Sequence, residues 1–452
     1  MIVAKILLIL VFILAWLKSR RSRQAEPSDF FILSFLLIYV PGFLFNPTGQ
    51  TSLNGLHLGE AAARRADFGM MMVFGISTLM FTLRKYVEQK FPVLTNLSEA
   101  FTSSRISGFF AGVAAIFTVA FFTGLLLNAD FREFKLDTLK FLTFQFQGID
   151  YRFVRNEKFL ESWLIESFLG RARFTIIPIL FCFAIYPLLT RKKIVFGILA
   201  ATVIFVALPA SLSKLPIFFF CGYGVILVAT RYPRFLDIRL LSAMLFIVAT
   251  IIVTMLVVLY TAQYQNAVIG GSVLPLNLAV ERIWGETYSV VVRYFAVYPD
   301  MLPFTGLSGI NVLAKLSGIP PRWPDVEVAL TLLGPDSGSN PGVFFLGGYA
   351  AFGMPGLCIF ALLGPLVLWC LDFIGRRIQM RPIRVTYLAV LGMNAVFLNQ
   401  IALQTALLTY GLAIVPIFLF FLDRVFLKVW LPRRIPGESK PTNGVFNAVD
   451  EG

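Results

Sequence analysis

Apolar runs long enough to cross a lipid bilayer recur along almost the whole of this sequence. Crossing a hydrocarbon core of about 30 Å takes roughly 20 residues of α-helix. Hydrophobic residues make up 58% of the 452 positions and charged residues only 14%, a balance far outside that of soluble domains. The sequence therefore predicts an all-α polytopic membrane protein with a single integral membrane domain over residues 1–452. We count eleven runs, at 1–17, 29–46, 66–83, 106–128, 172–190, 194–210, 215–230, 238–260, 343–371, 385–403 and 405–427.

The basic residues between the runs predict the orientation of the helices. Lys5 is the only basic residue ahead of the first run, whereas four follow it, Lys18, Arg20, Arg21 and Arg23. A cleavable signal peptide has an apolar stretch of similar length, but positive charge stays in the cytoplasm, so this order favours a retained helix with its N-terminus outside. Counting on from there, each connection assigned to the cytoplasm is short and basic. The C-terminus and its tail, 428–452, are then cytoplasmic.

The remaining composition limits the classes of function. We attribute the net charge of +14 to this topology signal and to attraction for anionic headgroups, so membrane lipids are expected partners. No folded basic domain bearing aromatic side chains is evident, so nucleic acid is not an expected partner. His57 is the single histidine, and the four cysteines, Cys182, Cys221, Cys358 and Cys370, all fall in predicted helices. We therefore expect no disulfide framework, no metal site and no cofactor.

Two connections are long, 129–171 and 261–340, and both are assigned to the outer face. They are too rich in aromatic residues for disordered segments, and long ordered loops are usually functional. We expect them to contain amphipathic helices and to cover the outer end of the helix bundle. Arg171 and Arg173 close the first loop, where they either anchor the chain at the membrane interface or reach a phosphate group.

A helical pattern in the second loop places apolar and polar residues on opposite faces. The apolar face repeats in steps of three and four from Val280 to Tyr298, which predicts an amphipathic helix. The polar face carries Arg282, Glu286, Ser289 and Arg293. Two interpretations stay open: an i,i+4 ion pair on a solvated helix at the interface, or a face that binds an anion.

The turn SLSK, residues 211–214, precedes an unusually short apolar run. Ser211 and Ser213 are good N-cap residues and Pro216 suits a first helical turn. The sixteen residues of 215–230 span about 24 Å as a helix, less than the hydrocarbon core. Lys214 therefore either snorkels to the surface or lies in a sheltered anion site at a helix N-terminus.

A glycine-rich stretch, SGSNPGVFFLGGYAAFGMPG, leads into the run at 343–371. Its six glycines and two prolines weaken a helix, yet it opens a membrane span. Glycine permits close approach of the backbone to a ligand or to another helix, and interrupted helices are tolerated where they line a protein cavity. Simple close packing of small residues is the alternative explanation.

Four segments follow one another along the chain: SLSK, ERIWGETYSVVVRYFAVYP (281–299), TGLSG (305–309) and SNPGVFFLGGYAAFGMPG (339–356). Taken in this order, they resemble the superfamily of bacterial O-antigen polymerases (Wzy type) and O-antigen ligases. The resemblance covers about 209–371 and rests on order and spacing. The chain departs from the family at Lys214, where arginine is usual, and at Ser339 and Asn340, where the ligases carry a histidine.

The resemblance implies an enzyme of the bacterial inner membrane with a fold of the GT-C glycosyltransferase type and a periplasmic active site. Such a polymerase transfers a growing glycan from undecaprenyl diphosphate to the next lipid-linked oligosaccharide repeat unit, without a metal. It implies chain-length regulators and flippase proteins as partners. An O-antigen ligase is the nearer alternative. A flippase or transporter for the lipid-linked oligosaccharide is the other, although we find no internal repeat of the kind that transporters show.

This chemistry requires cations for the departing diphosphate and favours a base for the acceptor hydroxyl. The expected cations are Lys214, Arg282 and Arg293, with Arg173 and Arg322 behind them. Ser211, Ser213 and Asn340 are the expected polar contacts to the diphosphate or the glycan. The candidate bases are Glu281, Glu286, Asp300 and Asp336, each of which has an ordinary surface charge as its alternative interpretation.

Overall fold

The computed structural model describes residues 2–20, 25–45, 58–88, 109, 112–113, 115–116, 172, 174–191, 222–227, 229–230, 237, 284–334 and 342–430. Within these ranges the chain forms helices and no β-strand. The α-helices are α1 (Ile2–Ser19), α2 (Pro27–Phe45), α3 (Glu60–Glu88), α4 (Ile176–Arg191), α5 (Glu286–Val297), α6 (Asn311–Leu316), α7 (Pro324–Leu333), α8 (Leu346–Arg377), α9 (Arg381–Val396), α10 (Leu403–Leu408) and α11 (Ile414–Trp430). Short 3₁₀ turns occupy Gly306–Gly309 and Phe397–Asn399.

Four helices in the described part are long and apolar enough to cross a membrane. They are Ile2–Ser19, Pro27–Leu44, Glu60–Glu88 and Leu346–Arg377, and they coincide with the predicted runs at 1–17, 29–46, 66–83 and 343–371. The helical, membrane-spanning class expected from the sequence is thus supported. Helices α4, α9 and α11 match three further runs but have only 16 or 17 residues. The other four runs lie largely outside the described residues, so the count of eleven and the GT-C fold stay predictions.

Helix α3 organises the packing of these spans. Helices α1, α5 and α8 all pack against it, while α9 packs against α2, α4 and α11. Phe74 of α3 shows how the contacts are made: its ring lies 5.2 to 5.8 Å, centroid to centroid, from the rings of Phe12, Phe35 and Phe43. Aromatic pairs at such distances add to the stabilisation from buried area.

A cluster of five buried charges joins α3 to α2 and α8 at one end of the bundle. Arg84 of α3 donates hydrogen bonds to Glu88, Asp372 and Glu26, at 2.9, 2.7 and 2.9 Å. Arg376 of α8 donates to both carboxylate oxygens of Glu26 at 2.7 Å and also to Glu88. All five side chains are buried. We call Glu26, Arg84, Glu88, Asp372 and Arg376 the five-charge cluster.

Two of these charges, Arg84 and Arg376, also belong to the basic connections that the sequence assigns to the cytoplasm. The structure buries both, at 2% and 4% exposure, in ion pairs with three carboxylates. Buried pairs of this kind are strongly destabilised when one partner is removed, because the other charge is left uncompensated. The cluster therefore fixes how three helices meet.

A second buried polar group lies at the opposite ends of α2 and α3 and joins them to α1 and α5. Lys5, near the start of α1, donates to Asp67 near the start of α3 at 2.7 Å and to the carbonyl oxygen of Phe43 near the end of α2 at 2.8 Å. Tyr288 of α5 also donates to Asp67. Successive helices α1, α2 and α3 therefore alternate in direction, as the orientation argument requires. The side of the membrane on which each end lies stays a prediction.

Helix α8 turns sharply within its first two turns. Gly353 has φ 67° and ψ −147°, and Phe352 also leaves helical geometry, so the short part Leu346–Ala351 packs back on the part after Met354. In a straight helix Gly348 and Gly356 would lie about 12 Å apart. Here a Cβ atom on Gly356 would come within 2.0 Å of the carbonyl oxygen of Gly348. The glycines thus permit a left-handed turn and a backbone contact, which is the close-packing explanation of the glycine-rich stretch.

Candidate functional site

Helix α5, from the second long loop, is inserted among the membrane helices. The indole nitrogen of Trp284 donates to the carbonyl oxygen of Leu37 at 2.8 Å. Leu37 lies eight residues before the end of α2 at Phe45, or about 12 Å along the helix axis. Gly42 makes room for this contact, since a Cβ there would lie 2.4 Å from the carbonyl oxygen of Trp284. This part of the loop therefore lies within the bundle.

The insertion buries the polar face of α5. Ser289 and Arg293 are only 4% and 3% exposed, and the residues from Tyr288 to Tyr298 are buried without interruption. The interpretation of this helix as solvated along its polar face is wrong for these two residues, because α5 packs against α2, α3, α7 and α8. Arg282 and the side chain of Glu286 lie outside the described residues. A guanidinium group is therefore held inside the protein, where electrostatic interactions are stronger than in water.

The segment after α5 forms a polar cluster around Tyr298. The hydroxyl of Tyr298 donates to Oε2 of Glu327 at 2.7 Å. Arg322 donates two parallel hydrogen bonds to the same carboxylate, at 2.6 and 2.8 Å. This geometry makes arginine–carboxylate pairs strong. Burial raises the pKa of Tyr298, and the hydrogen bond to Glu327 raises it further. We call Tyr298, Arg322, Asp325 and Glu327 the outer cluster, after the side of the membrane predicted for this loop.

Asp325 is the member of the outer cluster best suited to accept a proton. Burial raises the pKa of its half-buried carboxyl group above the usual value, although hydrogen bonds from its own backbone N–H and that of Val326 oppose the change. The negative charge of Asp325 also raises the pKa of the hydroxyl groups of Tyr294 and Tyr298. A carboxylate whose pKa is moved toward neutrality is a better general base than an ordinary surface aspartate.

Asp300, a base expected from the sequence, has a different environment. Both of its carboxylate oxygens accept hydrogen bonds from Arg65 of α3, which also donates to the carbonyl oxygen of Phe295 at 3.0 Å. The hydrogen bond from Arg65 lowers the pKa of Asp300. This ion pair makes Asp300 a weaker base and ties the end of α5 to the start of α3.

The segment 298–334 is fastened onto the turn of α8. The backbone N–H of Thr305 donates to the carbonyl oxygen of Ala350 at 2.9 Å, so it binds the end of the short part of α8. The ring of Phe304 lies against Gly353, 3.0 Å from where a Cβ would stand. Tyr349 donates to the carbonyl oxygen of Tyr298 at 3.0 Å. The outer cluster and the α8 turn therefore form one structural unit.

Three of the predicted site residues lie in the described part and within the same region. Arg322 shares the carboxylate of Glu327 with Tyr298, Asp300 follows Tyr298 by two residues and pairs with Arg65, and Arg293 lies in the helix that leads to this tyrosine. The other predicted residues lie outside the described part: Arg173, Ser211, Ser213, Lys214, Glu281, Arg282, Asp336 and Asn340, together with the side chain of Glu286. His57 and Ser339 lie outside it too.

Sequence reasoning missed four residues of this region: Arg65, Tyr298, Asp325 and Glu327. They are candidates because of contacts between segments that are far apart in the sequence. Arg65 and Asp300, for example, pair across 235 residues. One local signal was present, since Arg322 and Glu327 lie five residues apart around Trp-Pro-Asp. A proline at the first helical position, as at Pro324 in α7, predicts a helix that begins between these two residues.

Comparison with known proteins finds no matching family model, no matching curated protein and no matching solved structure. Among the described residues, histidine, cysteine and carboxylate side chains form no group of three that would suit a metal ion. The description of the site therefore rests on its own geometry.

Proposed function

We propose that this protein is a glycosyltransferase that polymerises polyprenyl-diphosphate-linked oligosaccharide repeat units at the outer face of the bacterial inner membrane. The observation that carries the proposal is the burial of Arg293 on a helix inserted among membrane spans. Charged side chains held inside a membrane-spanning bundle are costly and usually functional. The resemblance of 209–371 to O-antigen polymerases supplies the chemistry that a buried cation at this place serves.

The proposed reaction forms one glycosidic bond and breaks another. A hydroxyl oxygen of the acceptor repeat unit attacks the anomeric carbon of the growing glycan. The bond from that carbon to the diphosphate breaks, and polyprenyl diphosphate leaves with the electron pair. The hydroxyl proton passes to a protein base. No nucleotide sugar and no metal enter this scheme, so the diphosphate leaving group alone activates the donor.

The cations of the site stabilise the leaving diphosphate. Arg293 is the described member, and we propose that Lys214 and Arg282 complete the set, with Ser211, Ser213 and Asn340 contacting the diphosphate or the glycan. Arginine binds phosphate oxygens through two parallel hydrogen bonds, and stabilisation of developing charge is the largest single contribution to many enzymatic rates. Arg322 donates to Glu327, so we give it a supporting role, and the resemblance gives Arg173 the same role.

The base is proposed to lie in the outer cluster. Asp325 combines partial burial with a raised pKa, whereas Asp300 is paired with Arg65 and has a lowered one. Glu281, Glu286 and Asp336 remain candidates from the sequence, and they lie close to this segment along the chain. A positioned base contributes typically 10²- to 10⁴-fold to the rate of such a transfer.

The experiment that tests this function is reconstitution. The full-length protein in liposomes is supplied with a defined undecaprenyl-diphosphate-linked repeat unit, and products are separated by size. We expect a ladder of chains that differ by one repeat unit, and loss of that ladder in Arg293→Ala. An Arg64→Ala variant is the matched control, because Arg64 is 71% exposed and pairs only with Glu60 of its own helix among the described residues.

Different products identify the alternative functions. Transfer of a preformed chain to a lipid acceptor, without growth of chains, identifies a ligase. Movement of the lipid-linked unit across the bilayer without a new glycosidic bond identifies a flippase. In cells, deletion of a polymerase leaves single repeat units exported but no long chains, whereas deletion of a ligase leaves long chains on the polyprenyl carrier. This chain has Ser339 and Asn340 where the ligases carry a histidine. That difference favours the polymerase, so we expect the deletion strain to export single repeat units without long chains.

A further inference from the structure

The segment 301–330, on the outer side of α8, exposes an unusual amount of apolar surface. Helix α6 buries Ala314 and turns the opposite face outward, with Val312 at 39%, Leu313 at 38% and Leu316 at 78% exposure. Ile319 and Trp323 follow at 42% and 51%. Scattered exposed apolar residues are normal, but a concentration of this kind marks an interaction surface. We call the exposed side chains of Val312, Leu313, Leu316, Ile319 and Trp323 the apolar patch.

The patch is held rigidly in place. Gly318, at φ 67°, ends α6 with a hydrogen bond from Ile319 N–H to the carbonyl oxygen of Ala314 at 2.9 Å, the pattern of a Schellman cap. The N–H of Arg322 donates to the carbonyl oxygen of Ser308 at 2.8 Å. A surface fastened at both ends in this way is preformed, so it can bind a partner without the cost of ordering a loop.

The patch continues the lipid-facing side of the bundle. Phe304, from the same segment, packs against the turn of α8 at Gly353. The next large side chain of that turn, Phe352, is 39% exposed, and Ile359 and Leu362 further along α8 are 55% and 42% exposed. An apolar surface that begins on a membrane-spanning helix and extends onto α6 is continuous with the surface that contacts acyl chains.

We propose that the apolar patch inserts into the outer leaflet of the bilayer, at the boundary between headgroups and acyl chains. Its chemistry fits that layer. Leucine, isoleucine and valine provide the buried area, tryptophan prefers the interface, and the exposed Lys315 on α6 faces a layer that holds anionic headgroups. The apolar patch is then a membrane-embedded collar beside the outer cluster. This inference depends on the bundle spanning a membrane and holds for any of the reactions discussed above.

Spin labels on the full-length protein in liposomes test the insertion. The native cysteines are replaced, and a single label is attached at Leu316→Cys, in the patch, or at Arg64→Cys, at an exposed site on α3. Collision rates are measured with oxygen, which concentrates in lipid, and with a water-soluble nickel chelate. We expect the ratio of oxygen to nickel collisions to be shifted toward lipid at Leu316→Cys and toward water at Arg64→Cys.

Three other results overturn the proposal. A water-like ratio at Leu316→Cys shows that the patch is solvated. Low accessibility to both reagents shows that protein covers it, and dipolar broadening between labels identifies that protein as a second copy of this chain. A second variant tests the insertion independently. Adding Leu313→Glu should shift the ratio of oxygen to nickel collisions at Leu316→Cys toward the value in water, while the protein remains in the membrane. An unchanged ratio in that variant also contradicts insertion.

Discussion

Gly348 and Gly356 meet backbone to backbone although they belong to one uninterrupted apolar run. A Cβ on Gly348 would lie 2.5 Å from the carbonyl oxygen of Gly356, and one on Gly356 would lie 2.0 Å from that of Gly348. Neither obstacle is a flexible side chain, so a methyl group at either position must force the two parts of α8 apart. The outer cluster depends on this turn, because the segment that carries the cluster is held to it by the hydrogen bond from the N–H of Thr305 to the carbonyl oxygen of Ala350.

We expect Gly356→Ala to lower the thermal midpoint of the purified protein and to reduce its activity. The matched control is Gly75→Ala in α3, where a Cβ would meet nothing within 4 Å. Removing a glycine from a helix interior stabilises by about 0.5 to 1 kcal/mol, so the control should be unchanged or slightly more stable. Equal stability of both variants would show that the α8 turn does not need its glycine contact.

Arg376→Ala, in the five-charge cluster, should strongly destabilise the protein. It leaves Glu26 and Glu88 without a cation that now donates three hydrogen bonds to them. Breaking a buried pair in this way costs about 3 to 5 kcal/mol. The neighbouring Arg377 is exposed and contacts the ring of Phe373 at 4.1 Å. Arg377→Ala should therefore lose much less, and denaturation in detergent measures the difference.

Arg293→Ala should abolish or strongly reduce polymer while the protein stays in the membrane at normal amounts. Arg293→Lys should retain part of the activity, because lysine keeps the positive charge but cannot donate the two parallel hydrogen bonds that we propose arginine makes to phosphate. Gel analysis of cell-surface polysaccharide gives the readout, with immunoblotting for the amount of protein. Full polymer from Arg293→Ala would remove this residue from the mechanism. Lys214→Ala and Arg282→Ala belong in the same series, with Lys214→Arg expected to remain active.

Asp325 should give the activity a specific dependence on pH. A base works in its deprotonated form, and burial raises the pKa of Asp325. The rate should therefore fall, as the pH is lowered, at a higher pH than an ordinary aspartate would require. Asp325→Asn should reduce the rate by about 10²- to 10⁴-fold and remove this acidic limb from the profile.

Glu327→Gln is the control for that profile. It disturbs the same cluster, since Glu327 accepts from Tyr298 and Arg322, but it leaves the carboxylate of Asp325 in place. The acidic limb should persist in this variant even if the maximal rate declines. An Asp325→Asn protein that keeps the limb would assign the base to another carboxylate.

Cysteine labelling should place the two ends of the bundle on opposite sides of the membrane. Arg64→Cys, exposed at the end where Arg65 pairs with Asp300, should react with an impermeant thiol reagent in intact spheroplasts, whereas Arg377→Cys, at the end of α8, should react only after lysis. Both positions are exposed in the structure, and the native cysteines are first replaced. The reverse pattern would invert the predicted orientation, with the N-terminus outside and the C-terminus inside.

The sequence predicted the spans better than the way in which they meet. The described helices α1, α2 and α4 lie within a few residues of their apolar runs, because twenty apolar residues in a bilayer have few alternatives to a helix. Amphipathicity likewise predicted α5. It did not predict burial of the polar face of α5, since the pattern of one helix does not show which other helices pack against that face. For the same reason, the sequence did not identify Arg65 as the partner of Asp300.

The break in α8 was only partly predictable. Glycine and proline content indicated a weak helix between residues 337 and 356, but the direction of the turn follows from the left-handed conformation of Gly353. The five-charge cluster was not predictable at all. Its arginines have the sequence context of ordinary cytoplasmic loop residues, and the partners of Arg376 lie up to 350 positions away.

The five-charge cluster also sets an order of events during synthesis. Arg376 follows Glu88 by 288 residues, so at about 5 to 20 residues per second the first three helices wait roughly 15 to 60 seconds for it. During that interval Arg84 is the cluster's single cation, shared between Glu26 and Glu88. Arrival of α8 adds one cation and one carboxylate together and closes the cluster. A nascent chain released before this point lacks the three hydrogen bonds that Arg376 donates to Glu26 and Glu88, a difference that membrane proteases can use to distinguish unfinished copies from finished ones.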